Sequence, residues 1–233
     1  KTENAQTEAV VPDADESARS ATEYFKKAGK TYQAILKRIN AEPEWASSPN
    51  AKVATTLRMA EALRELGRYG DAIKTLIPVL ETNETNLELQ TEAASILQEW
   101  GKRKRSLYTR AIQGAVPKQN GRNLIWGWNR IITLLSRNIN KSERFKERFY
   151  EAILNKTECR NKWLAGLDDP AARVAQARAG ETELLKIHRL HPDLGGPTTK
   201  RKLEAYLKSF RETAGIASEE GFPRLQQEKV SAP

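Results

Sequence analysis

Residues 57–86 read LRMAEALRELGRYGDAIKTLIPVLETNETN. Leu57, Ala60 and Leu63, with Val53 just upstream, recur at intervals of three and four, which puts apolar side chains on one helix face. Gly67 ends that pattern, and a second helix runs from about Tyr69 to Leu80. The short connection predicts that the two pack as an antiparallel hairpin. Pro78 falls inside the second helix, where it removes a backbone hydrogen bond and favours a kink.

The same spacing extends in both directions. Ala21, Tyr24, Phe25, Ala28, Tyr32, Ile35, Leu36 and Ile39 mark a long amphipathic helix, broken by AEPEWASSPN with its two prolines and two serines. Leu89, Ala93, Ala94, Leu97 and Trp100 mark another, which Gly101 ends. Further helices are expected at about 103–114, 122–137, 142–166, 170–190 and 199–213. Asp169 followed by Pro170 reads as an N-cap with proline at the first helical position. No run alternates with period two, so the expected class is all-α.

Placed with its start at Val53, the opening stretch resembles a tetratricopeptide repeat, a helix-turn-helix unit of 34 residues. Ala60, Leu63, Gly67, Tyr69, Ala72 and Leu76 fall on that family's conserved-type positions, and Ala94, Leu97 and Gly101 recur 34 residues after Ala60, Leu63 and Gly67. The resemblance is clearest over 53–86, degenerate over 87–156, and departs at Val79 and Glu84. It implies antiparallel hairpins stacked as a right-handed superhelix over 18–215, with a concave surface for a peptide or partner helix. Carried over, the groove positions are Leu57, Glu61, Arg64, Glu65, Glu88, Thr91, Ser95, Gln98 and Glu99. The glutamates among them favour a basic or mixed-charge ligand over the carboxylate terminus that one subclass of the family grips.

The 233 residues carry a formal charge of +9, and the excess is local. Residues 102–148 hold thirteen Lys or Arg against two acids, a net of +11, whereas residues 1–17 hold one Lys against five acids and read as a disordered acidic tail. Lys102, Arg103, Lys104 and Arg105 follow one another directly; Arg130, Arg137, Lys141 and Arg144 come later, with Trp126 and Trp128 interleaved. Cations that track phosphates beside aromatic faces that stack on bases point to a nucleic acid or another polyanion. The competing reading is that the aromatics are core residues and the charges a solvated face. Trp126 and Trp128 are two apart, so at most one of the pair is expected to be fully buried.

Near the end, KIHRLHPDLGG (186–196) contains both histidines. His191-Pro192-Asp193 matches the tripeptide of J-domains, which implies a co-chaperone alternative. The local reading is punctuation: Ile187 and Leu190 close an apolar face, Pro192 stops the helix, the glycines allow positive φ, and Thr198 or Thr199 caps the next helix. His188, His191 and Asp193 lack an evident third strong metal ligand. Cys159, the single cysteine, reads as a small core residue.

No stretch reaches 18 apolar residues, so no membrane insertion is expected of this segment. Residues 216–233 read as a polar tail. The chain opens on Lys1 rather than Met, which suggests the soluble part of a longer or anchored protein, its compartment left open. The expectation is a protein-protein interaction scaffold, not an enzyme, with no cofactor or metal; polyanion binding and the co-chaperone role are the alternatives.

Overall fold

The computed structural model describes residues 14–217 and 221–223. Of the segments read as tails, residues 1–13, 218–220 and 224–233 lie outside the described residues. The fold is predominantly α: nine α-helices and one small β-hairpin among the described residues. The chain divides into two compact units, residues 1–76 and 77–233.

In the first unit, α1 (Ala14–Ala41) packs along α2 (Ala51–Glu65). A 3-10 turn at Pro43–Trp45 lies in their connection, with the Arg38 guanidinium 4.4 Å from the centre of the Trp45 ring. The connection folds α2 back along the C-terminal part of α1, where Ile39 is buried and Tyr32, Ile35 and Leu36 are half-buried. With 28 residues in α1 and 15 in α2, α1 outruns its partner by roughly 20 Å at 1.5 Å per residue. α2 ends as the sequence predicts. Gly67 takes φ +68, its N–H donates to the Arg64 carbonyl, and the Arg68 N–H donates to the Leu63 carbonyl, both at 2.8 Å. That pair of bonds is a Schellman closure. α3 (Tyr69–Thr82) then runs through Pro78 without a break in its assignment.

The second unit contains α4 (Leu87–Gly101), α5 (Leu107–Gln113), β1 (Ala115–Pro117), β2 (Asn123–Ile125), α6 (Gly127–Ser136), α7 (Glu143–Leu164), α8 (Pro170–Leu190) and α9 (Pro197–Ala214). α4, α5 and α6 pack with one another and with α7, while α8 and α9 form a hairpin that also packs on α7. Side chains cap three of these helices: Asn86 accepts from the Leu89 N–H, Ser142 from Phe145 and Asp169 from Ala171. Each cap is worth about 1 kcal/mol. The Asp169-Pro170 start is the one read from sequence.

Three expectations are corrected. The helices expected at 103–114 and 122–137 are shorter, because the chain makes an antiparallel hairpin between them, pairing Ala115 with Ile125 and Pro117 with Asn123. Two glycines make this exchange fit. Gly114 and Gly127 take φ +100 and +65, and a Cβ on Gly127 would lie 2.4 Å from the Gly114 nitrogen. With α5 only seven residues long, the second hairpin does not repeat the first. Gly101 does end α4, but it also makes room for a ring: a Cβ there would lie 2.6 Å from Tyr108. Finally, α9 starts at Gly196 and Pro197, ahead of Thr198 and Thr199, with no side-chain cap.

Candidate functional site

The groove positions assigned by resemblance separate into two groups. On α2, Leu57, Glu61 and Arg64 are half-buried and Glu65 is exposed. Arg58 binds Glu61 at 2.7 Å and Arg64 binds Glu65 at 2.8 Å, so the acidic character of this face is largely neutralised by its own neighbours.

On α4 part of the corresponding face is engaged from within. Arg148 of α7 reaches Glu88 at 2.9 Å and Thr91 at 3.5 Å. Ten residues along α4, the Gln98 amide donates to Asn155 at 3.3 Å and to Glu158 at 3.1 Å, and its carbonyl accepts from the Trp128 indole at 3.0 Å. The similar offset of the two sets of partners means that α7 runs parallel to α4. Ser95 and Glu99 are half-buried, and Glu99 holds Lys102. Burial works against the Glu88 charge, but Arg148 and then Arg144 hold its carboxyl below the usual range. Among the groove positions on α4, Glu88, Thr91 and Gln98 thus bind the chain's own α7, with Glu88 still exposed, Thr91 half-buried and Gln98 buried.

The basic segment does not form one patch. Lys102, Arg103, Lys104 and Arg105 are exposed in the α4–α5 turn, where all but Lys104 line a cleft of about 510 Å³ together with Tyr108, Glu158 and Lys162. Arg105 lies across Gly166, where a side chain would require the arginine to swing aside. Arg144 sits at the other end of α4, 3.6 Å from Glu88, roughly 20 Å away by helical rise. Arg137 and Lys141 are exposed after α6, and Arg130 lies 3.6 Å from Glu84 with its guanidinium 4.2 Å from the Trp126 ring centre. The hydrogen bond from Lys118, joined by Arg130, holds the Glu84 carboxyl below its usual range.

Both tryptophans are core residues, 5% and 1% exposed for Trp126 and Trp128. Only Trp128 is fully buried, which agrees with the expectation that at most one of the pair would be, although Trp126 is nearly so. Neither ring face is offered to a base. They reach opposite anchors, Trp126 lying beneath Arg130 and Trp128 bonding to Gln98.

The tripeptide at 191–193 does lie between α8 and α9, two helices that form a hairpin. His191 is half-buried and Pro192 and Asp193 are exposed, yet His191 and Asp193 both reach α7. Asp193 accepts from the Tyr150 hydroxyl at 3.1 Å and lies 3.7 Å from Lys146, and the His191 ring meets Phe149 and Tyr150 edge-on at 5.2 and 6.1 Å. Burial and the Asp193 carboxylate push the Tyr150 phenol well above its ordinary value. Leu194, at φ +48, is completely buried, whereas Leu190, expected to close an apolar face, is 64% exposed. The turn is a stop and restart fastened to α7. No group of three potential metal ligands occurs among the described residues. Cys159 is buried, which pushes its thiol well up and keeps it protonated.

Sequence spacing missed two features. Gln90 is wholly buried and acts as a surrogate strand: it donates to the Leu124 carbonyl at 2.9 Å and accepts from the Trp126 N–H at 2.9 Å. A lone glutamine gives no sign of this. The second is the free part of the α1 stripe. Ala21 is exposed, Phe25 half-buried, and Tyr24, in edge contact with Phe25 at 5.5 Å, is 68% exposed. The apolar stripe was legible in sequence, but not the point where its cover ends.

No protein-family model, curated protein or solved structure matches this chain.

Proposed function

We propose that this chain is a non-catalytic scaffold that binds another protein, and that the contact is the free end of α1. The observation that carries this reading is the apolar stripe of α1 continuing beyond the length of α2 into an exposed Tyr24. A helix with an open apolar stripe suits a partner helix or groove that closes over it. The tetratricopeptide resemblance is kept for residues 53–86 alone. Its support is the buried set Ala60, Leu63, Ala72 and Leu76 around the left-handed Gly67, with small alanines where paired helices of that family approach.

Capture from a nuclease-treated native lysate tests the reading with three baits: the intact chain, Tyr24→Glu, and a variant with Ala at positions 102–105. A specific protein held by the intact chain and the Ala variant, and lost with Tyr24→Glu, is the expected result. Retention by all three would remove α1 as the contact.

Polyanion binding is the second reading, favoured by the four exposed cations at 102–105 with Lys162 nearby. It expects nuclease-sensitive capture, a steep salt dependence, and loss in the Ala variant. The co-chaperone reading has less support, because Asp193 is engaged by Tyr150 and Lys146.

A further inference from the structure

Residues 221–223, Gly-Phe-Pro, return to the α8–α9 hairpin after α9 has ended at the left-handed Gly215. Two contacts seat them. The Phe222 ring stacks on the His188 imidazole, with centroids 4.6 Å apart and planes 27° from parallel. The Gly221 carbonyl accepts from Arg211 Nη1 at 3.4 Å. Gly221 takes φ +73, and a Cβ on it would stand 3.2 Å from a Glu204 carboxylate oxygen, so glycine suits the position.

The two anchors differ in chemistry. Arg211 is buried and fixed by Glu181 at 2.8 Å, and a guanidinium is a permanent cation. His188 is buried in the last turn of α8, and an imidazole changes charge between pH 5 and 8.

We propose that residues 221–223 form a pH-sensitive clasp, seated while His188 is neutral and released when it takes up a proton. The surrounding groups set the direction. From α9, Lys200 opposes a second positive charge and Glu204 favours one. Residues 221–223 bring no charged side chain. On α8, Lys186 and Arg189 are exposed and Glu181 is committed to Arg211; from α7, Lys156 and Arg160 are committed to Glu183. Burial is the largest influence, Lys200 acts with it, and the imidazole is held below its ordinary value. An imidazolium gains some attraction from a stacked phenyl ring. That ring also excludes the water a charged imidazole needs, and lifting it away restores hydration.

The sign follows. A histidine whose affinity for protons is lowered by seating favours the seated state above its ordinary value of about 6.5. The preference is lost as pH falls through the lower value of the seated state. Each unit between the two values changes the seated-to-released ratio by up to about tenfold.

Nuclear magnetic resonance on the whole chain tests this, following the Phe222 amide heteronuclear NOE and the His188 Cε1–H shift from pH 7.5 to 5. Expected is a Phe222 as ordered as α9 at pH 7.5 that becomes mobile as His188 titrates, with a midpoint below about 6.5. His188→Phe, which stacks without ionising, should stay ordered to pH 5; His188→Gln replaces it if circular dichroism shows that variant unfolded. Phe222→Ala should move the His188 midpoint up towards its ordinary value. The clasp is overturned if Phe222 stays ordered while His188 titrates, or if the uncharged variant loses order over the same range. Because α1 takes no part, either outcome leaves the proposed partner contact untouched.

Discussion

α1 and α4 both carry apolar stripes at helical spacing, yet one ends open and the other is buried along its stripe and held to α7 at both ends of its polar face. The stripe of α4 lies in the core, with Leu89, Ala93, Ala94 and Leu97 buried, and part of its polar face binds α7 through Arg148, Asn155 and Glu158. The stripe of α1 is covered only where α2 reaches, leaving Tyr24 exposed. Polarity alone would have ranked these surfaces the other way. Gln98 is polar and internal, Tyr24 largely apolar and external; what separates them is whether a complementary helix of sufficient length lies alongside.

The contrast breaks most severely at the buried helix. Trp128→Ala empties a large core volume and leaves Gln98 without its indole donor, so a loss of about 3–5 kcal/mol is expected in denaturant unfolding followed by circular dichroism. Gln90→Ala strands the Trp126 N–H and Leu124 carbonyl in a dry interior, for about 2–4 kcal/mol by the same measurement. Gly101→Ala drives a methyl into the Tyr108 ring and is expected to cost about 1–3 kcal/mol. Tyr24→Ser should change stability by no more than about 0.5 kcal/mol, because the side chain is mostly in water. A large loss there would mean that the open end of α1 is already part of the fold's own packing.

Much of the helix pattern could be read from spacing and punctuation. Asp169-Pro170, Gly67 and Gly101 mark ends that the structure keeps. The β-hairpin could not be read, because each strand has only three residues and period two needs a longer run to register. Its first strand also contains Val116 at φ +61, a conformation that β-branched residues rarely adopt and that no sequence pattern announces. The α7 contacts of the α4 face were out of reach for another reason. A resemblance to repeats assigns groove positions from one hairpin at a time, whereas the partners of Glu88 and Gln98 lie 60 residues downstream. The basic segment divides similarly, since Lys104 and Arg144 share one stretch of sequence but lie near opposite ends of α4. Phe222 stood alone in a polar segment, and its role depends on His188, 34 residues earlier in the chain.

The most direct measurement is site-specific photo-crosslinking in nuclease-treated native lysate, with benzoylphenylalanine placed in turn at positions 24, 91 and 104. Adducts to a defined protein from position 24, and none from 91 or 104, are the result expected if the open end of α1 is the contact surface. Adducts confined to position 91 would mean that α7 leaves α4 to admit a ligand, and adducts confined to 104 would give the role to the basic turn; either would contradict the assignment to α1.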